Sequence, residues 1–77
     1  MKPEWFKRTI IRPSTEFERD AVMHVQRVLR CDVTGEMDDS TVSHIRGLQG
    51  LFGLRVTGVL DEATAAQVEK IRSYGSA

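Results

Sequence analysis

Apolar residues fall at helical intervals in three stretches of the chain, and polar turn residues separate the stretches. From residue 16 to about residue 30, Phe17, Ala21, Val25, Val28 and Leu29 recur at the spacing of one helix face. Thr15 and Glu18 fit a reciprocal cap, in which each side chain takes a free backbone N–H of the first turn. Glu16 and Glu18 open this segment and Arg27 and Arg30 close it, the order that the helix dipole favours. A second helix is predicted from Asp38 or Asp39 to near Phe52, with Val42, Ile45, Leu48 and Phe52 facing inward. Gly47 and Gly50 weaken it by roughly 1 kcal/mol each relative to alanine. They share a face with Gly53 that would let another helix come close, although Gly53 also reads as a C-terminal stop. A third helix is predicted from Asp61 to about Arg72, with Ala65, Val68 and Ile71 inward, and residues 74–77 form a short frayed tail. Ahead of the helices, Pro3 and Pro13 bracket a segment holding the β-branched Thr9, Ile10 and Ile11, which predicts an extended arm over residues 1–14. The fold class is therefore all-α: a three-helix domain over residues 15–73 with an N-terminal arm.

The chain also repeats itself. Val33-Thr34-Gly35-Glu36-Met37-Asp38-Asp39-Ser40-Thr41 returns as Val56-Thr57-Gly58-Val59-Leu60-Asp61-Glu62-Ala63-Thr64, an offset of 56 − 33 = 23 residues. Gln26 and Gln49 stand at the same offset upstream. Each copy reads as a turn feeding a helix. Thr34-Gly35 and Thr57-Gly58 make the turns, with glycine supplying backbone angles closed to other residues. Met37 and Leu60 plug the core from outside the helices. Asp38 and Asp61 are strong N-caps, and Thr41 and Thr64 sit three residues on, where a hydroxyl would reach back to the cap backbone. Gln26 and Gln49 have two readings: hydrogen bonding to the adjacent turn, or to a glycan or peptide ligand.

A chain of 77 residues with 40% apolar content suits one small globular domain. At usual per-residue values its stability is on the order of 4–12 kcal/mol. One cysteine, Cys31, excludes an internal disulfide. No apolar run approaches the roughly 18 residues that span a membrane, so no membrane partner is expected. The net charge is zero, yet residues 1–13 carry 4 − 1 = +3 and the rest 7 − 10 = −3. Either the arm and body attract each other or the arm meets a partner through Trp5, Phe6, Arg8, Ile10, Ile11 and Arg12. The acidic body would repel nucleic acid. His24, His44 and Cys31 are too few and too far apart for a metal, since His24 and Cys31 lie roughly 10 Å apart along a helix axis. No nucleophile stands beside a base, so no catalytic residues and no cofactor are expected. Arg30, Arg46 and Arg55, together with Gln49, are the candidate ligand-binding residues, because guanidinium holds carboxylates well.

The ordered motifs resemble the small peptidoglycan-binding-like domain, a three-helix module attached to many bacterial and phage cell-wall hydrolases and related to the propeptide of matrix metalloproteinases. Gln26 and Gln49, Thr34-Gly35, Thr57-Gly58 and Gly53-Leu54 fall on the family's positions, and the resemblance runs from about Val22 to Ile71. Three departures matter, the first being Thr-Gly at the turns where many bacterial members carry Asp-Gly. Arg30-Cys31-Asp32 replaces the glycine–aromatic pair that often follows the first helix, and residues 70–75 hold no cysteine of the kind with which the propeptide ligates zinc. The resemblance implies a non-catalytic module that binds peptidoglycan, whose peptide stems carry carboxylates. The apolar, basic arm suggests a second reading, a structural protein of a phage particle contacting capsid or tail subunits. The N-terminus shows no secretory signal. Synthesis in the cytoplasm, followed by carriage in a virion or release on lysis, is the corresponding expectation.

Overall fold

A computed structural model describes residues 2–75. Three helices follow in order: α1 (Glu16–Leu29), α2 (Asp39–Leu51) and α3 (Glu62–Gly75). The α3 helix packs against both of the others. Phe6, Ile10, Ala21, Val22, Val25, Ile45, Leu48, Leu60, Ala65 and Val68 form the buried core, with Met37, Leu54 and Ile71 partly buried against it.

Of the expected α1 stripe, Ala21 and Val25 are buried and Val28 and Leu29 pack partly buried against the core, and Phe17 alone falls outside it. Glu18, Ala21, Val22, Val25 and Gln26 are buried, whereas Phe17 is 45% exposed. The exposure of Phe17 goes with the bonding at the cap. Thr15 Oγ1 accepts the Glu18 N–H at 3.1 Å, as expected. The Glu18 carboxylate does not return to Thr15, however. It accepts from the N–H and hydroxyl of Ser14 at 2.8 and 2.9 Å and from Arg8 Nε at 3.4 Å. Residue 18 thus lies inward beside Ala21, Val22 and Val25, and residue 17 lies outward, where the Lys7 ammonium is 5.8 Å from the Phe17 ring centroid.

Helix α2 begins and ends close to expectation, but Phe52 lies just past its end and is 44% exposed. Gly53 at φ +71° carries the chain away before Phe52 can turn inward. Glycine does not bring helices together here. A Cβ at Gly47 or Gly53 would meet nothing within 4 Å, and one at Gly50 would only touch Val56 at 4.0 Å. Helix α3 continues through Tyr74 to Gly75, because no stop residue precedes Gly75, and only residues 76–77 of the expected tail lie outside the described residues.

The arm is part of the domain. Phe6 and Ile10 are each 3% exposed. Ile10 and Leu60 form an antiparallel bridge, with Ile10 N–H donating to Leu60 C=O at 2.9 Å and Leu60 N–H to Ile10 C=O at 3.1 Å. The indole N–H of Trp5 donates to Glu69 of α3 at 2.6 Å. The radius of gyration, 11.1 Å, sits near the roughly 11.5 Å of a compact chain this long, so nothing projects. Contact with a partner through Phe6 and Ile10 is thereby excluded in this fold, because both are consumed by its core.

The ends of α1 and α2 differ in one residue of consequence. Both close with the same pair of bonds: Arg30 N–H to Arg27 C=O and Cys31 N–H to Gln26 C=O in the first, Gly53 N–H to Gly50 C=O and Leu54 N–H to Gln49 C=O in the second. This closure places its next-to-last donor in the left-handed region. Gly53 adopts that conformation without cost, but Arg30 is held there at φ +60°. Arg30→Gly is therefore expected to stabilise the domain by about 0.5–1 kcal/mol, since relief of left-handed strain exceeds the added freedom of the unfolded chain. Thermal unfolding should show a rise of a few degrees, and a fall would contradict the strain argument.

Candidate binding surfaces

The repeated motif residues are committed to the interior. Gln26 is fully buried. Its carbonyl oxygen accepts from the N–H groups of Thr34 and Gly35 at 2.9 and 3.0 Å. Its amide nitrogen faces Thr34 Oγ1 at 3.0 Å, Glu36 C=O at 3.0 Å and Thr41 Oγ1 at 2.9 Å. The same bonds recur at Gln49, to Thr57, Gly58, Val59 and Thr64. The helix caps complete each network. Asp38 accepts from Thr41 N–H and hydroxyl at 2.9 and 2.6 Å, and Asp61 does the same with Thr64. The threonine hydroxyls therefore reach the cap's carboxylate, not its backbone as expected. The shorter route frees the hydroxyl oxygen to accept from the glutamine. Gln49, expected among the ligand-binding residues, is instead fully buried with both its amide oxygen and its amide nitrogen bonded within the second turn and to Thr64.

The three candidate arginines each have their own setting in the fold. Arg30 ends α1 in the left-handed region. Arg46 lies over the second turn, its Nε 2.8 Å from where a Cβ on Gly58 would stand. Arg55 is exposed in the segment between α2 and that turn. Of the arm residues, Arg8 is paired with Glu18, whereas Ile11 is 70% exposed and Arg12 is exposed.

Among the depressions on the described surface, two bear on the candidate residues and the exposed apolar groups. One, of about 480 Å³, lies between the arm and the first turn, lined by Ile11, Arg12, Pro13, Arg19, Glu36, Met37 and Asp38. The other, of about 410 Å³, is a shallow apolar groove between α2 and the ends of α1 and α3, where Leu51 is 79% exposed and Phe52 lies beside it. Among the described residues no three His, Cys, Asp or Glu side chains converge as a metal site requires, and no helix is long and apolar enough to cross a membrane. Arg19, Glu36 and Met37 were not singled out from the sequence as binding residues. The available signal was the arm itself, which has one strand-forming segment and two equivalent turns to cover.

Three carboxylates titrate below their ordinary range. The Ser14 N–H, then its hydroxyl, lowers Glu18, with Arg8 adding to the effect. The Thr41 hydroxyl, then its N–H, lowers Asp38, followed by the Thr34 hydroxyl. Arg72, then the Trp5 indole, lowers Glu69. Groups lowered on folding contribute stability that is complete above their ordinary values, 4.5 for Glu and 3.8 for Asp, and is lost as pH falls through the folded values. The melting temperature is thus expected to hold steady from neutral pH to about 5 and to drop below about 4.5. A melting temperature that rises on acidification from 4.5 to 3 would show that these pairings do not stabilise the fold.

Compared with known proteins, the chain matches one family, described as "Putative peptidoglycan binding domain", over residues 18–68. No curated protein and no solved structure matches it significantly. The match covers about two thirds of the chain and includes both glutamine networks, and the chain belongs to that family.

Proposed function

We propose that this member of the peptidoglycan-binding domain family is a non-catalytic module that binds bacterial cell wall. The observation that carries the reading is the family match across α1, α2 and most of α3. Supporting it, the motif residues that define the domain are all engaged in holding its two turns, so the scaffold is complete. A small rigid scaffold with charged surface clefts suits attachment to a repeating polymer, where many weak contacts add up by avidity.

The test is co-sedimentation with purified sacculi. Retention of the folded chain above a heat-denatured control, competed by soluble wall fragments, is the expected result. Equal sedimentation of folded and denatured protein would remove the reading.

The competing reading, a structural protein of a phage particle, rests on an apolar arm free to lie along a neighbouring subunit. Phe6, Ile10 and Trp5 are instead engaged by this domain's own core and by Glu69. No observation on the surface favours that reading over wall binding.

A further inference from the structure

The two turns share one hydrogen-bond network but differ in what covers them. In the second turn, both backbone groups of Leu60 are taken by Ile10 of the arm. The residue at the equivalent place in the first turn is Met37, since 60 − 23 = 37. Among the described residues nothing bonds to the N–H or the C=O of Met37. Met37 instead lines the cleft of about 480 Å³ together with Ile11 and Arg12, the arm residues that follow the bridge. An unpaired backbone donor and acceptor on one residue can pair with another extended chain, as Leu60 does with Ile10 in the second turn.

The charges around Met37 are also uncommitted. Neither Arg12 nor Arg19 pairs with a described residue. Asp38, on the same wall, has both oxygens occupied by Thr34 and Thr41. Glu36 is exposed and its carboxylate has no partner among the described residues. The cleft therefore offers two open guanidinium groups, one open carboxylate, one open backbone donor and acceptor and the apolar face of Ile11. No aromatic ring lines it for a sugar to stack on.

We propose that this cleft binds an extended peptide bearing a carboxylate, the stem peptide of peptidoglycan, by backbone pairing at Met37 and carboxylate contacts from Arg12 and Arg19. An amide chain presents N–H and C=O at the spacing that Met37 needs, whereas a pyranose ring does not. Guanidinium binds a carboxylate with two parallel hydrogen bonds, and Glu36 is placed for an amino group on the same stem. The arm thus has two roles: it fills the second turn and walls the site at the first. The proposal rests on the wall-binding reading for the source of the peptide.

The test uses the full chain labelled with ¹⁵N. It is titrated with disaccharide-tetrapeptide released from sacculi by muramidase and, separately, with peptide-free chitotetraose. The disaccharide-tetrapeptide is expected to shift the amides of Met37, Arg12 and Arg19 saturably, and to leave Ile10 and Leu60, which are already paired, in place. The double variant Arg12→Ala with Arg19→Ala should bind roughly tenfold or more weakly, through loss of charge-assisted bonds. Because both side chains are exposed and unpaired, its melting temperature should match that of the wild type. Equal binding of chitotetraose, muropeptide shifts that bypass Met37, or wild-type affinity in the folded double variant would each overturn the proposal. If sacculi retain the wild type and the double variant equally, the cleft assignment falls and wall binding stands. If they do not retain the wild type, both fall.

Discussion

Gln49→Leu is expected to lower the melting temperature by more than about 15 °C, and in a domain this small to leave a large unfolded fraction at 37 °C. Leucine fills nearly the same space, so the effect isolates the hydrogen bonds. The substitution strands the N–H groups of Thr57 and Gly58 and the C=O of Val59, all bonded to Gln49 at 3.0–3.2 Å, and removes the donor to Thr64 Oγ1 at 2.8 Å. Each buried backbone group left without a partner costs about 1–3 kcal/mol. Even after the gain from burying more apolar surface, about 3–6 kcal/mol should be lost, against a total on the order of 4–12 kcal/mol. A domain of this size loses about 4–8 °C for each kcal/mol. Urea unfolding would give the loss directly. Native-state hydrogen exchange would locate it, with the Thr57 and Gly58 amides losing protection first. A loss below about 1 kcal/mol would mean that water replaces the glutamine in the turn and that the network is not what holds it.

Gln26→Leu should act in the same way on the first turn, because the same five contacts are present there. Two buried amides, one at each turn, explain why a chain without disulfides holds two irregular loops in fixed conformations. The positive φ values of Gly35 and Gly58, +79° and +76°, place consecutive N–H groups on the same glutamine oxygen. The turn and its clamp are a single device.

Much of this was legible from the chain because its signals are local. Asp38 and Asp61 cap helices whose starts they precede by one residue, and Gly35, Gly53 and Gly58 mark left-handed turns. The glutamine contacts were legible only as one of two readings, since sequence spacing pairs Gln26 with Thr34 but does not say which atoms meet. Phe17 shows where local signals fail. Residues 17, 21, 25 and 28 and residues 18, 21, 22 and 25 are both helical faces, and the first is the more apolar. At residues 17 and 18 the second face is the buried one, and Ser14 and Arg8, which lie outside the helix, bind the Glu18 carboxylate there. The cleft was illegible for a related reason. Which of two equivalent turns the arm would cover depends on where Phe6 and Trp5 dock, and that is a tertiary fact.

Phe6→Ala is expected to cost about 3–5 kcal/mol, the usual range for emptying a buried phenylalanine site, while Ile11→Ala should stay within about 0.5 kcal/mol. Phe6 is 3% exposed and meets the Trp5 ring edge-on at 6.3 Å, and Trp5 is in turn bonded to Glu69 on α3. Removing the Phe6 ring opens the core and loosens the Ile10–Leu60 bridge a few residues along the same arm. An arm that served only a partner would give the opposite pattern: Phe6 would be dispensable to the isolated domain, and its loss would appear only on binding. Denaturant unfolding of the two variants separates these cases. The result also constrains function, because an arm worth several kcal/mol to a domain of this size cannot be released to reach a partner without unfolding what it leaves. Contact by the arm must then be made from its outer face, by Ile11 and Arg12, which is the face that walls the cleft beside Met37.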